Sequence, residues 1–281
     1  MLKKLAAVRA AALSVAALSM GALCAATLSL TASPASAGSV TQPGETVGLA
    51  TGAPLPQGVY FVDTFNWGVR KGDNGAADVT LGVNIPVLAW ATPTKIAGAR
   101  LQLLAALPAL EVGVQNADHE NGMYNPFLAS QLAWDLGDGF GVSYLLGVYF
   151  PVGNKLGFDS TNINQRLAVS YTNDGWNLTA NGIYGISTRD VSKTINPDFV
   201  NLDLTATKTL GNWTVGPVGF ASWDVTSPTA TYEKQSQLAL GGLVGYNFSQ
   251  LTLQGYLTRT VTEENYGGTD TRAWGRLILP F

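Results

Sequence analysis

The chain has 281 residues, of which 46 % are hydrophobic and only 12 % charged, well below the roughly 25 % charged of an ordinary soluble domain. A single cysteine excludes an internal disulfide, and with one histidine most transition-metal chemistry goes too. With 16 basic against 19 acidic residues, net charge −3, no nucleic-acid partner is expected.

The amino terminus carries Lys3, Lys4 and Arg9, then an Ala/Leu/Val-rich run from Ala10 to Leu30, then Ala35-Ser36-Ala37 ahead of Gly38. Positive, apolar and small-x-small segments in that order predict a cleaved Sec signal peptide over residues 1–37. The rival is an uncleaved anchor, since the run approaches the ~20 residues that span a bilayer. The Ala-Ser-Ala site directly behind it favours cleavage. Cys24 leaves with that peptide, and the remaining 244 residues hold 13 Lys and Arg against 19 Asp and Glu, a net charge of −6.

After residue 38 no apolar stretch is long enough for a membrane helix, so any crossing must be by strands. Residues 38–57, rich in Gly, Pro and Thr, are expected either to lead into the first strand or to plug a lumen. Period-two segments then follow at residues 59–69, 79–87, 97–107, 127–136, 140–150, 165–172, 176–184, 200–206, 213–223, 238–246, 251–261 and 271–281. Most have the ~9–11 residues that a tilted strand needs to cross a bilayer. Val79, Leu81, Val83, Ile85 and Val87 alternate with polar residues, as do Val200, Leu202, Leu204 and Ala206. Asp63 sits on an otherwise apolar face, Pro217 interrupts the ninth segment, and Leu104–Leu110 also suits a helix.

Twelve segments are an even number, as single-chain bacterial barrels have. Short turn-like links (Gly137-Asp138-Gly139, Asn173-Asp174-Gly175, Gly211-Asn212, Ser249-Gln250) alternate with long polar ones at 113–123, 151–163, 187–199, 226–235 and 262–270. Short periplasmic turns alternating with long external loops characterise outer-membrane barrels, whereas a soluble sandwich has no reason to sort loops by parity. Phe140 and Phe150, like Trp213 and Trp223, lie ten residues apart. At ~3.3 Å per residue and ~40° tilt, that spacing projects to roughly 25 Å, the height of an apolar band with its aromatic girdles. The expected fold is therefore an all-β, antiparallel transmembrane barrel of about twelve strands over residues 58–281. It closes on a strand that ends in Phe281 and lies in a Gram-negative outer membrane.

Three segments resemble a family of outer-membrane proteins named as transporters of the phenol meta-cleavage (MetA) pathway. They are Leu55-Pro-Gln-Gly-Val-Tyr-Phe-Val-Asp63, Pro86-Val-Leu-Ala-Trp-Ala-Thr-Pro93 leading to Gly98-Ala-Arg100, and Leu146-Gly-Val-Tyr-Phe-Pro-Val-Gly-Asn154. Where the family pattern is usually Pro-Thr-Gly, this chain has Pro151-Val152-Gly153, a departure that touches a loop more than the fold. The resemblance implies an outer-membrane barrel that passes small aromatic or other hydrophobic molecules.

With the apolar face of each strand turned to lipid, the lumen is expected to hold Asp78, Arg100, Arg166, Asp203, Arg272 and Arg276. The same register places Trp90, Phe127, Tyr149, Tyr256 and Trp274 beside them. Rings and guanidiniums together suit weak binding of a planar, partly apolar solute. The competing expectation is a closed lumen in which Arg166, Arg272 and Arg276 pair with Asp203 or Asp78. No cofactor, metal or catalysis is expected. His119, between Asp118 and Glu120, is the lone histidine for a membrane-embedded hydrolase, and Asp118-His-Glu-Asn121 the one loop suited to a divalent ion. The expected partners are outer-membrane lipid, lipopolysaccharide, the barrel assembly machinery and a small hydrophobic or aromatic solute. The principal alternative is a structural or surface-interaction barrel with a closed lumen.

Overall fold

A computed structural model describes residues 38–73, 75–117, 119–188 and 196–281. The expected signal peptide and Asp118 lie outside the described residues. The strands are β1 (Gly58–Lys71), β2 (Val79–Ile96), β3 (Ala99–Ala106), β4 (Ala109–Val114), β5 (His119–Met123), β6 (Phe127–Gly137) and β7 (Phe140–Tyr149). They continue with β8 (Asn162–Tyr171), β9 (Trp176–Ser187), β10 (Phe199–Leu210), β11 (Trp213–Asp224), β12 (Ser236–Asn247), β13 (Thr252–Glu264) and β14 (Thr269–Pro280).

Twelve of them close an antiparallel ring, in which β14 pairs with β1 and β1 with β2. The extra two, β4 and β5, continue β3 and β6 beyond Leu107-Pro108 and Tyr124-Asn125-Pro126. Proline supplies no amide to a ladder, so each of these long strands is interrupted at its proline. The Leu104–Leu110 stretch is thus a broken strand rather than a helix. The expected loop 113–123 is largely a hairpin, and His119 and Glu120 stand on β5.

Alternation decides what each residue faces. On β8, Asn162, Asn164, Arg166, Ala168 and Ser170 are buried inside while Leu167 and Val169 are exposed outside. On β7 and β11, Phe140, Trp213 and Trp223 are exposed outward, and Phe150 just beyond β7 is exposed as well. Outward leucines and valines lie between them, so a continuous apolar band girds the barrel, as lipid requires. Asp63 is on that outer face, where both carboxylate oxygens accept from Asn84 Nδ2 of the neighbouring strand at 3.1 and 3.3 Å.

The short links gather at one end, here the turn end, and the long links at the other, the loop end. By the rule for outer-membrane barrels, the turn end is periplasmic.

Candidate functional site: a filled lumen with an apolar cavity

Residues 38–57 run inside the ring from the loop end, where Gly38 meets Pro197 and Asp224, to the turn end, where β1 begins. Their backbone makes successive tight turns, with Glu45 N donating to Gln42 O (3.1 Å), Leu49 N to Thr46 O (3.0 Å) and Ala53 N to Ala50 O (3.0 Å). Gly44 and Gly48 have φ of +87° and +86°, and a Cβ there would lie 2.6 Å from Phe220 and 2.6 Å from Leu243. Backbone handedness and space both demand glycine at these two positions.

Polar side chains of the barrel hold this segment. Asp203 on β10 accepts from Gly44 N (2.9 Å), Thr46 N (3.0 Å) and Thr46 Oγ1 (2.6 Å). Arg276 on β14 donates to Glu45 O (2.6 Å), Val47 O and Thr64 Oγ1 (2.9 Å). Arg166 on β8 pairs with Glu45 Oε1 at 2.8 Å, both side chains about nine-tenths buried. Hydrogen bonds to charged groups contribute about 1.5–3 kcal/mol each, so these three residues dominate the attachment. Burial pushes the Glu45 carboxyl above its usual range, opposed chiefly by the Arg166 guanidinium. Val47 also packs into an apolar cluster with Val218, Phe220, Leu243, Tyr256 and Trp274.

Across the lumen the segment leaves space. A cavity of about 480 Å³ lies between residues 45–56 and the wall formed by β1, β2, β3, β6 and β7. Val62, Ile85, Val87, Leu104, Phe127 and Leu145 line it, with Gln102, Gln131, Arg166 and Asn181 as sparse polar groups. Drug-sized ligands occupy roughly 300–1,000 Å³, and a dry apolar cavity of about 150 Å³ already accepts benzene. One or two aromatic rings therefore fit. Towards the loop end a second apolar cluster, including Val40, Leu81, Leu110, Tyr124, Leu156 and Phe199, fills the interior.

The expected lumen residues divide unevenly. Arg166, Asp203, Phe127, Tyr149, Tyr256, Trp274, Arg272 and Arg276 are buried on inward positions. Arg100 is half-buried on an inward position of β3 and donates to Thr92 O at 3.0 Å. Two expectations are overturned, both at β2. Trp90 is 47 % exposed on the outer surface. Asp78 precedes the strand and bonds Lys71 at the loop end. On β2 the apolar face (Val79, Leu81, Val83, Ile85) points inward and packs on residues such as Phe127 and Leu145. The rule that apolar faces meet lipid assumes a polar lumen, and this side of the lumen is lined mostly by apolar side chains.

The arginine partners also differ from expectation. Arg166 takes Glu45, Arg276 divides between the Glu45 and Val47 carbonyls and the side chains of Thr64, Gln254 and Tyr256, and Arg272 pairs with Asp270 on its own strand at 2.7 Å. Reasoning from strand patterns missed Glu45, because residues 38–57 carry no periodicity from which a docking site could be read. His119 Nε2 lies 2.7 Å from Glu111 Oε1 in an exposed pair. No cluster of three metal-ligating side chains occurs among the described residues.

A family model described as "Putative MetA-pathway of phenol degradation" matches residues 42–277. No curated protein matches the sequence. Among solved structures, an outer-membrane channel from Pseudomonas putida F1 superposes with TM-score 0.66 and 16 % identity over 86 % of this chain and 100 % of its own. The NanC porin aligns at TM-score 0.49 and 11 % identity over 78 % of this chain and 100 % of its own. The CymD monoaromatic hydrocarbon channel aligns at 0.48 and 9 % over 85 % and 92 %. At such identities the likeness to the Pseudomonas channel is one of fold.

Proposed function

Because the chain belongs to the MetA-pathway phenol-degradation family, we propose that it is an outer-membrane channel for passive uptake of small hydrophobic or aromatic molecules. The observation that carries this reading is the apolar cavity beside the inner segment. Its size and lining favour a ring compound over a sugar, whose hydroxyls would find few partners there. Residues 38–57 act as a plug that narrows the lumen to this passage, after residues 1–37 have been removed as a signal peptide. Passage needs no catalysis, cofactor or energy coupling. Lipid and lipopolysaccharide surround the apolar band, and the assembly machinery engages the last strand, whose Phe281 is 78 % exposed.

Vesicles with and without the barrel, loaded with labelled toluene, phenol and a sugar of similar size, test the proposal. Faster entry of the aromatics alone is expected. Equal entry into both vesicle types for every solute would sink the channel and leave a closed structural barrel. The apolar filling of the loop end favours that second reading.

A further inference from the structure

Asp224 closes β11 at the loop end and is 6 % exposed. Its Oδ2 accepts from Tyr232 Oη (2.5 Å) and Gln235 N (3.0 Å). Its Oδ1 is buried with no hydrogen-bond partner. Buried carboxylate oxygens are nearly always supplied with a donor, so an orphan in a well-packed rim marks a missing one.

What faces this oxygen is Gly38. A Cβ placed on Gly38 would stand 2.8 Å from Asp224 Oδ1 and 2.0 Å from Pro197 Cγ. The leading end of the inner segment is thus pressed against the orphan, with room for no side chain. Gly38 is also the residue directly behind Ala35-Ser36-Ala37. Within the uncut chain its nitrogen is a neutral amide with one hydrogen. Hydrolysis there breaks the Ala37–Gly38 peptide bond by adding water, leaving a carboxylate on Ala37 and an ammonium on Gly38. With an ordinary pKa of about 7.7–8.0, that amine is mostly cationic at neutral pH and offers three donors.

We propose that signal-peptide cleavage after Ala37 creates the partner of Asp224: the α-ammonium of Gly38 pairs with Oδ1 and latches the plug to the loop-end rim. The pairing couples secretion to lumen closure, since only the processed chain carries the charge. It rests on the inner segment being docked and not on which solute passes, so loss of the channel reading leaves it standing.

The test uses the full mature barrel purified from outer membranes. Its intact mass is expected to begin at Gly38, and any other first residue overturns the proposal. Acylation of the α-amine at neutral pH is then timed in proteins that retain the heat-modifiable gel shift. The wild-type amine should react at least about tenfold more slowly than that of Asp224→Asn, as a locally protected group does. Equal rates overturn the latch. Tyr232→Phe disturbs the same carboxylate through Oδ2 and should keep the wild-type rate; a rise equal to that of Asp224→Asn would indicate general loosening and also overturn it. Should Asp224→Asn lack the gel shift, urea-unfolded wild-type protein replaces it as the reactive standard, and protection of less than about tenfold decides against the latch.

Discussion

The two sides of the lumen use opposite chemistry. Along β10–β14 the wall is polar where it meets the plug: Asp203 and Arg276 bind backbone groups of residues 44–47, and Val47 packs behind them. Along β1–β3, β6 and β7 the wall is mostly apolar; it touches the plug where Gln131 and Ser143 donate to Thr51 O and Gln102 accepts from Leu55 N, and elsewhere borders the cavity. The first side carries the charged attachments at residues 44–47, and the second leaves a cavity between its few polar contacts.

The largest effect should come from removing the held element. Deleting Ser39–Thr51 is expected to raise single-channel conductance severalfold in planar bilayers and to let the excluded sugar through. Unchanged conductance would erase the distinction between the two sides.

Cutting the attachment while keeping the segment should do less. Asp203→Ala leaves the Gly44 and Thr46 amides without their acceptor, at about 1–3 kcal/mol each. Hydrogen exchange at those two amides should quicken by roughly a hundredfold, with the gel shift retained. Exchange at wild-type rates would show that Asp203 does not hold the plug.

On the other side, Ala89→Phe fills the passage, since Ala89 is buried and lines the cavity. Overpacking of this kind costs about 1–3 kcal/mol. Toluene entry should fall several-fold while exchange at Gly44 and Thr46 stays as in wild type. If both change together, the two sides are not independent.

A weaker effect follows from Glu45. The carboxyl faces Arg166, Arg276, Asp203, Tyr149 and Tyr256 and is raised in the docked state, burial being the largest cause. A raised pKa means that the docked plug binds the proton more tightly than the released one. Docking is therefore strongest below the ordinary glutamate pKa and weakens as pH climbs through the raised value. Bilayer conductance should be lower at acid pH than at neutral pH, and the reverse order would contradict the sign.

The smallest change belongs to Trp90→Ala. Its ring lies on the outer face, so solute entry should match wild type while intrinsic fluorescence loses a lipid-quenchable component. Altered solute selectivity would return Trp90 to the lumen and with it the whole β2 register.

Much of the frame was legible beforehand. Period-two patterns located all twelve ring strands, and sorting loops by length separated the barrel's two ends. Less was legible wherever proline broke a strand: Pro108 and Pro126 hid the extensions that became β4 and β5. The face of β2 was misread for a different reason. Val79, Leu81, Val83 and Ile85 alternate perfectly well, and alternation states that one face is apolar without saying whether lipid or an apolar lumen receives it.

By itself, then, the amino-acid sequence determined the class of fold, a ring of about twelve strands and the closing strand. These rest on local interactions, the pleat of each strand and the chemistry of each turn, which are written in neighbouring residues. The tertiary structure alone decided what occupies the lumen, which β2 face lines it, and that Arg166 meets Glu45 rather than Asp203. Those outcomes depend on segments far apart in the chain sharing one enclosed volume, where burial and unmet hydrogen bonds select the partners.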